Sequence, residues 1–268
     1  MKQQANLFRL ARTTLCGKTF FMTPAVPVAE MKSNADVSPC LSVVMPVFNE
    51  EKTIAKIIQI VLAQRPVQEL IVVDDGSRDG TWAALQALEK TDARIRLCRH
   101  ELNSGKGAAL RTGFRQVTAP VIVVQDADLE YDPMEYHLLL KPILSGKADV
   151  VFSSRLIGSG PHRVLYFWHY LGNKFLTTLL NAATNLNLTD MESGCKMFST
   201  GVLEKITLNE NRFGFEPEFT AKVARLHLRI YEVAVSYDGR TYAEGKKISW
   251  LDGISALRCI FKYGLLRW

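Results

Sequence analysis

Three short apolar runs in the first half of the chain each end in a cluster of polar side chains. The runs are Leu41–Met45, Leu70–Val73 and Val121–Val124. The residues that follow them are Pro46-Val47-Phe48-Asn49-Glu50, Asp74-Asp75-Gly76-Ser77 and Gln125-Asp126-Ala127-Asp128. Strands of an open α/β sheet bind their ligand at the carboxyl ends. The pattern therefore predicts three strands whose polar ends form one ligand-binding edge.

Segments with helical spacing separate these runs. Glu51–Gln64 and Thr81–Glu89 place their large apolar residues three and four positions apart. Farther along, Gly105–Gln116 is predicted to be a helix, and Arg94–Cys98 and Asp149–Ser153 to be strands. Alternating strands and helices are typical of βαβ units. We therefore predict an α/β fold with a mostly parallel central sheet flanked by helices.

Composition narrows the class of protein. The chain has 268 residues, of which 47% are hydrophobic, enough for one large domain with a sizeable core. Its net charge of +6 suits phosphates or anionic lipid, but the basic residues are scattered, so we expect no nucleic-acid partner. Five cysteines without a Cys-x-x-Cys pair favour neither a disulfide framework nor a zinc site.

The chain divides into three predicted parts. Residues 1–38 are expected to form a flexible or partly helical leader, and Lys18 interrupts the best candidate for a secretory signal. Residues 39–250 are the predicted globular domain, divided into residues 39–155, which contain the three strand ends, and residues 156–250. Residues 251–268 are a predicted amphipathic C-terminal helix.

Two segments carry candidate chemistry. Asp126 and Asp128 extend from the end of a strand, where two carboxylates can bind a divalent cation. Asn103-Ser104-Gly105-Lys106-Gly107 opens a helix, so that backbone N–H groups and a lysine can meet a diphosphate. The spacing is not that of a P-loop. Asp79-Gly80-Thr81 follows Ser77 where a phosphatase would need a nucleophilic aspartate, so a phosphoaspartyl mechanism is disfavoured.

Taken in this order, the motifs resemble family 2 glycosyltransferases. The polyprenyl-phosphate or dolichol-phosphate sugar (mannose or glucose) synthase branch is the most similar. Three further segments carry that resemblance: Leu188–Glu192, Arg212–Glu218 and the stretch from Gly239-Arg240-Thr241-Tyr242 to Gly245-Lys246-Lys247. The resemblance covers about residues 40 to 250. It implies a Rossmann-like nucleotide-sugar-binding domain of the glycosyltransferase A type. Residues 39–250 would then be the catalytic domain, with a donor-binding part at 39–155 and an acceptor-side part at 156–250.

The resemblance also implies roles for individual residues. It places the nucleotide-sugar against Pro46, Phe48, Glu50, Asp75, Lys106, Asp126 and Arg155. It assigns Mg²⁺ or Mn²⁺ to Asp126, Asp128 and Glu130. It assigns the acceptor or its phosphate to Arg155, Lys196, Arg240 and Lys246. The residues implied in catalysis are Asp126, Asp128, Glu216 and Arg240. Two of these residues have structural alternatives, since Asp75 suits a turn cap and Glu50 suits a helix start.

The implied reaction is inverting transfer of a hexose from a GDP-mannose or UDP-glucose type donor to a polyprenyl phosphate in cell envelope glycan biosynthesis. An anionic lipid phosphate needs no strong base, whereas a saccharide hydroxyl acceptor would need one from Glu216, Glu218 or Asp190. Ser193-Gly194-Cys195-Lys196 lacks the aromatic residue that relatives often place before the lysine. Transfer to a saccharide in polysaccharide or glycolipid assembly stays an alternative, as does a non-catalytic nucleotide-sugar-binding protein.

Two segments have membrane-interface character. Val164–Leu188 is rich in aromatic and leucine residues but is interrupted by polar ones, which fits an interfacial or a buried helix. Ile254–Trp268 reads as a basic amphipathic helix that can rest on anionic lipid. We expect peripheral attachment to the cytoplasmic face of a membrane, or a separate membrane protein as partner.

Overall fold

The structure is a computed structural model that describes residues 12–15, 18–21, 33–158, 163–164, 166–241, 244–245 and 250–266. Within the predicted leader, strands β1 (Arg12–Leu15) and β2 (Lys18–Phe21) pair antiparallel. This part of the leader is therefore extended rather than helical. Lys246, a predicted phosphate ligand, lies outside the described residues.

A seven-stranded sheet forms the centre of the fold. Its strands are β3 (Leu41–Val47), β4 (Val67–Asp74), β5 (Ile95–Arg99), β6 (Val121–Val124), β7 (Val150–Ser154), β8 (Lys196–Ser199) and β9 (Ile230–Ala234). The order across the sheet is β5-β4-β3-β6-β8-β7-β9. Only β8 runs antiparallel to its two neighbours, so the predicted mostly parallel sheet is confirmed.

Helices connect these strands. They are α1 (Ile54–Leu62), α2 (Thr81–Glu89), α3 (Lys106–Phe114), α4 (Tyr136–Leu144), α5 (Phe167–Thr184), α6 (Phe215–Arg225) and α7 (Trp250–Cys259). A π-helical turn, Ile260–Leu265, continues α7. The predicted helices α1, α2 and α3 are present, and α2 has the predicted bounds.

The sheet is buried on both faces. Because side chains alternate along a strand, Val43 and Met45 of β3 join one apolar cluster and Val44 joins the other. Pairing of Val47 with Asp74 then brings the polar residues after β3 and β4 to the same edge. The core in this way fixes the position of the ligand-binding edge.

A third apolar cluster joins α5 to α6 and the C-terminal helix. Leu180, Met191, Ala221, Ile260 and Tyr263 are its main buried members. The beginning of α5 lies outside the cluster and is exposed, so the segment is buried at one end and open at the other. None of the described helices combines the length and hydropathy needed to cross a bilayer.

The basic residues of the C-terminal segment bind protein groups. Arg258 and Lys262 both form ion pairs with Glu210, which also accepts a hydrogen bond from the Tyr263 hydroxyl at 2.8 Å. These two cations are therefore engaged with a carboxylate, whereas the sequence indicated a basic amphipathic helix that can rest on anionic lipid. The apolar side of the same segment is used for packing against α5 and α6.

Candidate active site

Asp75 fastens the end of β4 to the start of α3. Its carboxylate accepts hydrogen bonds from the backbone N–H groups of Ser104 (3.0 Å) and Gly105 (2.7 Å) and lies 2.7 Å from Nδ1 of His100. The turn at Ser77 is instead capped by Asp74, whose Oδ1 accepts from the Ser77 N–H at 3.2 Å. The sequence did not single out His100, because only the folded chain brings it beside Asp75.

The start of α3 is held tightly by the protein itself. The Ala108 N–H donates to the carbonyl of Asn211 at 3.0 Å, and the N–H groups of Ser104 and Gly105 are taken by Asp75. These three donors, which the sequence offered for a diphosphate, have protein partners. Gly105 has φ +99°, and a Cβ there would overlap the Asn211 carbonyl, so only glycine fits.

Lys106 joins two acids of the site. Its Nζ lies 2.8 Å from Oδ1 of Asp126 and 3.2 Å from Oε1 of Glu216. Burial alone would lower the pKa of Lys106, but the charges of these two carboxylates outweigh it and the pKa is raised. Lys106 is therefore a permanent cation next to the first acid of the Asp126-Ala127-Asp128 pair.

Arg240 contacts three acids from the other side. Its guanidinium is 3.0 Å from Oδ2 of Asp128 and 3.1 Å from each carboxylate oxygen of Glu50, and its Nε is 3.4 Å from Oε1 of Glu130. Burial, followed by the charges of Asp126 and Glu130, raises the pKa of Asp128 to about 7 although Arg240 opposes the shift. Negative charge is thus crowded at this edge.

Glu130 positions Arg240. Its Oε1 accepts the Arg240 backbone N–H at 2.8 Å, and its Oε2 accepts the Tyr237 hydroxyl at 2.7 Å. Both carboxylate oxygens are therefore used in binding the segment that carries Arg240. Tyr237 was missed in the sequence, since nothing in its local pattern indicates a partner more than a hundred residues away.

Asp126 and Asp128 suit a divalent cation. Their side chains are 20% and 16% exposed, so both can be reached from solvent. In the described part of the chain, no three His, Cys, Asp or Glu side chains are arranged to hold a metal by themselves. Mg²⁺ is commonly bound by one or two carboxylates together with substrate phosphates. Two hard oxygen ligands in a region of crowded negative charge fit such a shared site.

Arg155 and Asp190 form a buried ion pair. Nε and one terminal nitrogen of Arg155 contact the two carboxylate oxygens of Asp190 at 2.6 and 2.8 Å, and Asn173 adds a hydrogen bond of 2.8 Å. Burial would raise the pKa of Asp190, but Arg155 outweighs it and the pKa is lowered. A carboxylate with a lowered pKa is a poor base. The ion pair also holds Arg155 over the Tyr237 ring, with the guanidinium carbon 5.0 Å from the ring centroid.

Two further predicted residues are fully buried. Lys196 donates to the backbone carbonyls of Met191 and Ser193, and burial lowers its pKa. Glu218 accepts from the N–H groups of Asn209 and Glu210 and pairs with Lys222 at 2.6 Å. The structure does not bring either side chain to the surface of the site. Pro46 lies near the end of β3 and Phe48 directly follows the strand, and both are partly exposed.

Comparisons with known proteins agree with this architecture. The undecaprenyl-phosphate mannosyltransferase of Micrococcus luteus is 28% identical over 84% of this chain and 94% of its own length. The polyprenol monophosphomannose synthase of Mycolicibacterium smegmatis is 27% identical over 82% and 84%. The low-salt glycan biosynthesis hexosyltransferase of Haloferax volcanii is 30% identical over 83% of this chain, which spans 53% of that protein.

Among solved structures, the chain is similar to glucosyl-3-phosphoglycerate synthase from Mycobacterium tuberculosis in complex with Mn²⁺, uridine diphosphate and phosphoglyceric acid. The TM-score is 0.67 at 22% identity, over 92% of this chain and 86% of the other. This likeness confirms the glycosyltransferase A fold. A family model described as Glycosyl transferase family 2 matches residues 42–207. The chain belongs to this family and is a glycosyltransferase.

Proposed function

We propose that this glycosyltransferase moves a hexose from a nucleotide diphosphate-sugar to a polyprenyl phosphate, with inversion and with Mg²⁺ or Mn²⁺ as cofactor. The observation that carries the proposal is the charge arrangement at the sheet edge. Asp126 and Asp128 lie between two cations, Lys106 and Arg240, at 2.8 and 3.0 Å. Relatives named for undecaprenyl-phosphate and polyprenol substrates support the choice of acceptor.

Lys106 and Arg240 can bind the phosphates of the donor. A divalent cation on Asp126 and Asp128 would neutralise part of the charge of the leaving nucleoside diphosphate. Lys106 and Arg240, relieved of these acids, can then pair with phosphate oxygens, Arg240 in bidentate geometry and Lys106 as a point charge. Glu130 keeps the Arg240 backbone in place during this exchange of partners, because it binds the backbone N–H.

The proposed reaction is a single displacement. A phosphate oxygen of the acceptor attacks the anomeric carbon from the face opposite the nucleotide, and the bond from that carbon to the diphosphate oxygen breaks. The acceptor is anionic near neutral pH, so no strong base is needed. The residues considered as bases support this choice, since Asp190 is paired with Arg155, Glu218 with Lys222 and Glu216 with Lys106.

A membrane surface is the proposed place of work. The start of α5 carries exposed apolar side chains, with Phe167 64%, Trp168 75% and Phe175 55% exposed, and Val164 just before it is 88% exposed. Aromatic residues at this density favour the bilayer interface, where a polyprenyl phosphate presents its head group. We place the protein peripherally on the cytoplasmic side, where nucleotide-sugars are made.

Product analysis tests the proposal. Radiolabelled UDP-glucose, UDP-N-acetylglucosamine and GDP-mannose are each incubated with the full chain, Mn²⁺ and a polyprenyl phosphate, and label is measured in the organic phase. We expect one donor to give a lipid-linked sugar whose anomeric configuration is opposite to that of the donor. Label that appears only on added saccharides would support the alternative acceptor, and donor binding without any product would indicate a non-catalytic binder.

A further inference from the structure

Two carboxylates next to the acid pair have an oxygen with no partner. In the described residues, the buried side-chain atoms without a hydrogen bond belong to Asn34, Glu69, Asp74, Glu192 and Glu216. Two of these atoms have a nearby cation instead of a hydrogen bond. Oε2 of Glu69 lies 3.2 Å from Arg96, and Oδ2 of Asp74 lies 3.2 Å from Arg99. Oε1 of Glu192 and Oε2 of Glu216 accept no hydrogen bond, and Lys106 approaches Glu216 at its other oxygen, Oε1. A buried polar group left unpaired costs about 1–3 kcal/mol, so a use for it is expected.

Both carboxylates belong to the surroundings of Asp126. Lys106 bridges Glu216 to Asp126, at 3.2 and 2.8 Å. The segment that carries Glu192 passes directly against the same aspartate, since a Cβ on Gly194 would overlap Oδ2 of Asp126 and lie 3.3 Å from Nζ of Lys106. Glu216 is therefore joined through Lys106 to the aspartate where the proposed donor is bound. Glu192 lies two residues before the glycine that approaches the same aspartate, and its charge interacts with that of Glu216.

The two carboxyl groups differ in what they offer a ligand. Burial, and then the charge of Glu216, raise the pKa of Glu192 to about 8, so near neutral pH this group carries a proton that it can donate. Glu216, paired with Lys106, presents an oxygen that accepts. A hydroxyl group both donates and accepts, so it matches this combination, whereas a phosphate offers only acceptors and is repelled by carboxylates.

We propose that Glu192 and Glu216 determine sugar specificity by receiving hydroxyl groups of the transferred hexose. This inference rests on the proposed function, because it assumes that the donor diphosphate binds at Asp126 and Asp128. The pair would act on the sugar and not on the nucleotide. A site that hydrogen-bonds a hydroxyl rejects the analogue that lacks it, since the buried partners are then left unpaired.

The test compares two ligands of the same protein. UDP-glucose, UDP-N-acetylglucosamine and GDP-mannose are first compared for binding to the full chain in the presence of Mn²⁺. Calorimetric titration then measures the affinity for the one that binds best and for the matching nucleoside diphosphate. In Glu192→Met and Glu216→Gln we expect at least tenfold weaker binding of the nucleotide-sugar and a change within twofold for the nucleoside diphosphate. For a donor whose sugar lacks the hydroxyl group, the affinities of the wild type and the variants should differ less than they do for the parent donor.

The free protein provides a second readout. Glu192→Met removes a carboxyl group that has one buried, unpaired oxygen, so the melting temperature of the variant should be equal to or higher than that of the wild type. Glu69→Gln is the matched control, because Glu69 is a buried carboxylate toward the opposite end of β4 from the site, and both affinities should stay as in the wild type.

The outcomes separate this inference from the proposed function. Equal weakening of both ligands, or no weakening of either, would overturn the sugar-binding role. A wild-type protein that binds none of the three nucleotide-sugars would refute the proposed function itself. Failure of lipid to act as acceptor leaves the comparison valid, since the titration contains no acceptor.

Discussion

Arg240, in the segment after β9, is linked to the polar ends of β3 and β6 through a single guanidinium group. It is 17% exposed and contacts Glu50, Asp128 and Glu130, which come from the segments that follow β3 and β6. Burial would lower its pKa, but the charges of these acids outweigh the effect and raise it. A permanently charged residue that shares three acids can change partners when a metal and a diphosphate enter, without leaving any charge unpaired.

Residue roles could be predicted only as far as local sequence determines them. The spacing of Asp126 and Asp128 after an apolar run indicated their place at the sheet edge, and the structure agrees. Asp190 was one candidate base for a saccharide acceptor, but its ion pair with Arg155 depends on a contact across 35 residues. Glu192 lay in a segment that carried the resemblance but was given no role, because its unpaired oxygen is a property of the folded interior.

Glu192 should give stability a distinctive pH dependence. Its pKa is raised from 4.5 to about 8, so folding takes up a proton between these values. The stability that this group contributes is fully present below about pH 4.5 and is lost as pH rises through 8, with a slope of at most about 1.4 kcal/mol per pH unit. The charged groups that act on it are Glu216, Lys196, Arg155 and Asp190.

Urea unfolding of the wild type and Glu192→Gln between pH 5 and 9 measures this effect. The variant lacks the titrating group, so its stability relative to the wild type should increase steadily up to about pH 8 and then level off. Taking the difference removes the contribution of the other titrating groups. A difference that is constant across the range would contradict the assignment.

At the scale of elements, the sequence predicts best where one pattern dominates. Thr81–Glu89 was predicted with the bounds that α2 has, because Trp82, Leu85 and Leu88 face one side. Strand β8 was not predicted: it has only four residues, and one of them is the buried Lys196. Its antiparallel direction between β6 and β7 depends on how the chain returns to the sheet, which no local pattern records.

The entry to α3 makes a prediction about backbone geometry. Gly105→Ala should destabilise the protein by about 2–4 kcal/mol, because φ is +99° and the new Cβ would overlap the Asn211 carbonyl. It should also weaken nucleotide-sugar binding, since Lys106 is the next residue. Gly146→Ala is the control: φ is +69°, nothing lies within 4 Å of its Cβ, and the loss should be about 1 kcal/mol.

Thermal unfolding and nucleotide titration of both variants check this. Equal losses of stability in Gly105→Ala and Gly146→Ala would show that the close approach to Asn211 has no energetic importance.

On the scale of the whole molecule, the largest group of exposed apolar side chains among the described residues lies in and just before the first half of α5. The other end of this helix is covered by α6 and the C-terminal helix through Leu180, Ile260 and Tyr263. Val164–Leu188 fitted both an interfacial and a buried helix in the sequence, and the structure contains both environments in one segment. The open end suits a lipid surface beside the proposed acceptor.

Removal of this apolar surface should reduce attachment to lipid. For the double variant Phe167→Ser, Trp168→Ser we expect at least tenfold weaker co-sedimentation with phosphatidylglycerol vesicles, because both side chains are largely exposed and would bury apolar area in the interface. Met134→Ser, at a residue that is 62% exposed elsewhere on the surface, should bind as the wild type does. Equal vesicle binding by all three proteins would show that α5 is not the attachment surface.

The central claim is metal-dependent transfer to a lipid phosphate, and release of nucleoside diphosphate measures it most directly. Release from the preferred nucleotide-sugar is followed with and without polyprenyl phosphate, in Mn²⁺ and in chelator, for the wild type and Asp128→Asn. We expect release that requires both lipid and metal and that falls at least a hundredfold in the variant. Release that does not depend on lipid, or that persists in Asp128→Asn, would contradict the account.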